Sequence, residues 1–129
     1  MDSYHLTNEA HTPGSPKNKN NENYSMDWLK FVLQRSTSHW KVIFTHYPFV
    51  SLGNHGPNPE ISTLVQPLLE EYKVDMYITG HDHSEQHHVS PGTGRGTTSG
   101  TPWPVHHYVI GGGHNCDPMN LISVSRVDP

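Results

Sequence analysis

"VDMYITGHDHS", residues 74–84, is the stretch on which the fold turns. From Val74 to Thr79 it is a short run of β-branched, aromatic and apolar residues, as expected of a strand covered on both faces. At Gly80 it turns polar and delivers two histidines, His81 and His83. A buried strand that runs into side chains able to do chemistry is what an α/β domain presents at the C-terminal edge of its sheet, where ligand sites lie.

The same pattern occurs upstream. "WKVIFTHYPFVSLGNHG", residues 40–56, begins as a second apolar run without alternation, again read as covered on both faces, and ends at His46; His55 follows nine positions later, just before Gly56. Between the two strands, residues 58–74 place Ile61, Leu64, Val65, Leu68 and Leu69 at helical spacing. Pro59 suits the first turn of that helix, whereas Pro67 is expected to kink it or split it in two.

Ahead of the first strand, "SMDWLKFVLQRS", residues 25–36, predicts a helix capped by Ser25 that packs through Trp28, Phe31 and Leu33. After the second strand, a Gly, Pro and Thr-rich loop at 90–102 leads to a third, "VHHYVIGGG", residues 105–113. Residues 1–24 are polar, contain Pro and Gly, and lack an apolar period, so they are read as loop or disordered chain. The expectation is one α/β domain over 25–129: strand, helix, strand, strand, with a helix upstream.

Composition narrows the function. The 129 residues carry 8 Lys plus Arg against 12 Asp plus Glu and a formal charge of −4, which disfavours nucleic acid and an acidic membrane as partners. No stretch approaches the roughly 20 apolar residues of a membrane helix, and "MDSYHLTNEA" lacks the features of a secretory leader. One cysteine, Cys116, excludes an internal disulfide. Histidine is the residue in excess, with 12 copies, and it both titrates near neutrality and ligates metals. His81 and His83, two apart in an extended turn after Gly80, project to one side, and with His46 at a neighbouring strand end they would make a metal site.

The other histidines read more plainly. His87 and His88 are expected to be exposed in a loop or strand, and His106 and His107 must face opposite sides of their strand. His5, His11 and His39 are expected to be solvated, and His114 to lie near the rim.

Taken together, the HYP at 46–48, the step to "HG" at 55–56, and "GHDH" at 80–83 resemble the C-terminal half of calcineurin-like metallophosphatases, most of all the purple acid phosphatases of the tartrate-resistant type. The resemblance implies part of a calcineurin-like sandwich. It implies a dinuclear centre of iron(III) and a divalent ion (Fe, Zn or Mn), with His46 and His81 on the divalent metal and His83 on the iron. It further implies hydrolysis of a phosphate monoester by a metal-activated hydroxide, with His55, protonated in acid, assisting the leaving group. Asn54 mimics an asparagine ligand of the family, but it follows HYP rather than preceding it and is assigned no metal.

The chain departs from the family in one respect. The aspartate boxes and the asparagine box that supply the remaining ligands are not found ahead of His46. A truncated phosphatase is therefore expected, its site completed by a missing N-terminal half or by self-association. The alternative is an inactive histidine-rich metal-binding or interaction remnant. The family is often secreted or lysosomal, and this chain shows no signal that decides its location.

Overall fold

A computed structural model describes residues 19–95 and 97–113, with side chains from Ser25 onward. His5, His11, His114 and Cys116 lie outside the described residues, as do residues 1–18. The elements in chain order are α1 (Lys19–Arg35), β1 (Val42–Phe44), α2 (Pro59–Glu71), β2 (Met76–Thr79), β3 (Glu85–Ser90) and β4 (Val105–Ile110).

The strands form one sheet in the order β1-β2-β4-β3. β1, β2 and β4 run parallel, and β3 closes the far side antiparallel to β4. The mixed α/β sheet fits the expected partial sandwich, with one strand more than the sequence predicts. β3, "EQHHVS", was missed because Gln86, His88 and Ser90 share one face and Glu85, His87 and Val89 the other, so neither face reads as apolar.

One face of the sheet is the core. Ile43, Tyr77 and Val105 meet Leu29 and Leu33 of α1 and Ile61, Val65 and Leu69 of α2, all buried. Removing a side chain such as Leu69, which is fully buried, would cost about 2–5 kcal/mol. α2 starts where the sequence predicts: Asn58 Oδ1 accepts the Ile61 N–H at 3.1 Å and Pro59 takes the first turn. It also runs through Pro67 unbroken, contrary to the predicted split. The hydrogen bond lost there is the one to the Thr63 carbonyl, and Thr63 is exposed, so water can take its place.

Among the described residues no helix covers the opposite face. Phe44 is 62% exposed and Val89 51%, which corrects the expectation that the first strand is covered on both sides. α1 differs in two ways. It begins at Lys19 rather than at Ser25, in a tract after Pro16 that holds no Gly or Pro to stop it. Its packing is carried by Leu29 and Leu33, while Trp28 and Phe31 are exposed, Phe31 lying under the Arg35 guanidinium at 3.8 Å.

Candidate active site

Parallel pairing of β1 with β2 brings their C-terminal ends together. Beyond the ladder the two loops stay joined, since the Thr45 N–H donates to the Ile78 carbonyl and the Gly80 N–H to the His46 carbonyl, both at 3.0 Å. His46 and His81 are therefore adjacent, with Nε2 of the first 3.3 Å from Nδ1 of the second. His81 has a φ of 60°, a left-handed backbone uncommon for a residue with a Cβ, and the Asp82 N–H bonds to the Gly80 carbonyl around it at 2.8 Å. Tight turns of this kind at the end of a strand often hold functional side chains.

His55 completes the group. Its ring centroid is 4.2 Å from that of His81, and Tyr47 backs the His81 ring at 4.3 Å. The described ring contacts thus join His46, His55 and His81; His83 lies half-buried beyond Asp82.

Beneath the histidines sits Asp82, with no exposed surface. One carboxylate oxygen accepts the His55 N–H at 2.9 Å and the other accepts the Ser51 hydroxyl. Ser51 in turn receives Gln86 Nε2 at 3.0 Å, and Gln86 Oε1 accepts the Leu52 N–H at 2.8 Å. Two glycines make the space: a Cβ on Gly53 would stand 2.7 Å from Asp82 Cβ, and one on Gly111 would meet the Asp82 carbonyl carbon at 2.9 Å. The sequence reading missed Asp82, Ser51 and Gln86. The only available signal was an aspartate between two histidines, and residue type alone does not separate a buried bolt from a solvated side chain there.

The other histidines sort by face. His107 is the member of its pair that points inward, against Phe49 at 4.7 Å, and neither of its ring nitrogens has a partner among the described residues. Burial, reinforced by the neighbouring His88, His106 and His87, pushes its pKa down to about 4. His39 is exposed, as expected. His87 is exposed and His88 half-buried.

The pattern of the calcineurin-like phosphoesterase matches residues 4–85, most of the chain. The chain belongs to that family. It is 41% identical over 85 residues to Purple acid phosphatase 7 of Arabidopsis thaliana, a match covering 66% of this chain and 26% of the relative. It is 35% identical over 75 residues to Tartrate-resistant acid phosphatase type 5 of Oryctolagus cuniculus, covering 58% and 23%. The chain thus matches about a quarter of the length of these curated relatives. Among solved structures it is similar to one titled "GAP50 the anchor in the inner membrane complex of Plasmodium", with a TM-score of 0.64 at 18% identity, over 93% of this chain and 34% of that one. That likeness concerns the fold alone.

Purple acid phosphatases imply a dinuclear metal centre, and the residues present can be tested against it. Two imidazole ligands of one tetrahedral ion, with bonds of about 2.0–2.1 Å, stand roughly 3.3 Å apart, close to the spacing of His46 and His81. The fit ends with that pair. Among the described residues no group of three or more His, Cys, Asp or Glu converges to hold an ion, and Asp82 is committed to the backbone of the His55 loop. Taken alone, the described residues do not make a dinuclear centre, because no carboxylate offsets the charge of two cations.

Proposed function

We propose that this chain carries the imidazole part of a phosphomonoesterase site of the acid phosphatase kind. The observation that supports this most is the convergence of His46, His55 and His81 at the edge of a parallel sheet, on loops joined by Asp82. In this reading His46 and His81 present paired lone pairs to a cation, with His83 on its neighbour. Iron(III) with iron, zinc or manganese is the pairing the family resemblance implies. His55 lies beside them to donate a proton to the departing alkoxide oxygen of a phosphate monoester. The carboxylates come from outside the described residues, from an upstream segment that would cover the exposed apolar surface around Trp40, Val42 and Phe44.

The test joins the chain in frame to the upstream part of a purple acid phosphatase and assays a chromogenic phosphomonoester near pH 5 with iron and zinc. Turnover lost in His55→Ala is expected; a folded, metal-loaded fusion without turnover overturns the reading. The lack of a converging carboxylate among the described residues favours a second reading, a metal-binding remnant without turnover. In that case the fusion binds metal and stays inactive.

A further inference from the structure

The outer face of the sheet carries a second pair of histidines, which the site above does not use. His87 on β3 is paired with Tyr108 on β4, and His106 stands two residues before that tyrosine, so all three side chains share one face. His87 Nε2 and His106 Nδ1 are 2.9 Å apart, and the ring planes are within 9° of parallel. Tyr108 stacks on His87 with centroids 4.5 Å apart and planes 7° apart, which fixes the orientation of that ring. The backbones beneath are held by a ladder running from Glu85↔Ile110 to Ser90↔Val105. The two imidazoles are therefore brought together by paired strands and not by a loop.

We propose that His87 and His106 form a bidentate surface site for a tetragonal divalent cation of the copper(II) class. In the free protein one ring donates to the other across that gap; when a cation binds, the shared proton moves to the nitrogen facing away, and both facing nitrogens become lone-pair donors. With metal–nitrogen bonds of about 2.0–2.1 Å, two ligands at right angles stand roughly 2.9 Å apart, the separation already present. His46 and His81, 3.3 Å apart at the strand ends, form a separate pair. Among the described residues no third His, Cys, Asp or Glu joins the pair in a ligand group. Water fills the remaining positions, and the bound ion exchanges readily. Copper(II) heads the affinity order for nitrogen and oxygen donors and is the natural probe.

The experiment titrates copper(II) into the full chain carrying His46→Ala, an exposed position whose change removes the competing pair. Electron paramagnetic resonance counts the coordinated nitrogens, and competition with glycine gives the affinity. A site with two imidazole nitrogens is expected. Adding His87→Ala should weaken it on the order of tenfold or more, since even outer-shell partners of metal ligands are worth about 10- to 100-fold. His106→Gln, which keeps a hydrogen-bonding group beside His87 but offers no second imidazole, should weaken it equally, and His39→Ala should leave it as it was. Affinity and nitrogen count unchanged in both His87→Ala and His106→Gln overturn the proposal. The outcome is independent of phosphatase activity.

Discussion

His55 donates its backbone N–H to Asp82 Oδ1 at 2.9 Å, so the loop carrying the candidate proton donor is fastened to the turn that carries a candidate metal ligand, His81. The bond spans 27 residues and a whole helix. It turns the "GHDH" motif from a pair of histidines into a three-part device in which the residue between them positions a third.

Replacing Asp82 should therefore separate the two loops. Asp82→Ala leaves the Ser51 hydroxyl and the His55 N–H without their acceptor in a buried place, at a cost of about 2–4 kcal/mol, read by urea denaturation. The His55 and Gly53 amides should lose hydrogen-exchange protection before the strands do. Gly53→Ala should act in the same direction, because its Cβ would overlap Asp82. Stability and exchange unaltered by both changes would show that the bolt is not needed.

His107 predicts acid sensitivity. The folded chain keeps this ring neutral down to about pH 4, whereas the unfolded chain takes up the proton near the ordinary value of 6.5. Between those values the unfolded state binds more protons, so this contribution is whole above pH 6.5 and lost as pH falls toward 4. Its size is on the order of 3 kcal/mol. Thermal unfolding followed from pH 7 to 4.5 should show the melting temperature falling. His107→Leu, which also removes two ring nitrogens without partners among the described residues from beside Phe49 and Tyr77, should flatten the slope and raise stability at pH 5. An equal slope in the variant would assign the acid sensitivity to other groups.

The exposed edge of the sheet at β1 predicts association. Trp40 at 69% and Phe44 at 62% exposure flank a groove of about 380 Å³ between α1 and the edge strand β1. Phe44→Lys should change fold stability by no more than about 0.5 kcal/mol, as at other surface positions. It should also shift the purified chain toward the monomer in sedimentation velocity. The same distribution of species in both proteins would mean that this face does not mediate self-association.

The sequence made legible what depends on period and motif. Val74 to Thr79 and the run into His46 read as strands because apolar and β-branched residues cluster there, and the Asn58-Pro59 start of α2 follows from local capping chemistry. The placement of His46 beside His81 followed from parallel topology. What could not be read depends on partners distant in the chain. The exposed side of β1 looks like a buried strand, because Val42 and Phe44 are as apolar as the inward Ile43. β3 did not stand out as a strand because, apart from Val89, its residues are polar or histidine. Asp82 gave no hint that Gly53 and Gly111 were glycines to make room for it.

The most direct test of the half-site is hydrolysis of a chromogenic phosphomonoester near pH 5 by the 129-residue chain alone, loaded with iron and zinc, beside His55→Ala and His81→Ala. The account predicts no turnover that distinguishes the chain from its variants, because the imidazoles converge and, among the described residues, no carboxylate joins them. Turnover by the chain that disappears in both variants would contradict it, showing that these residues complete a catalytic site by themselves.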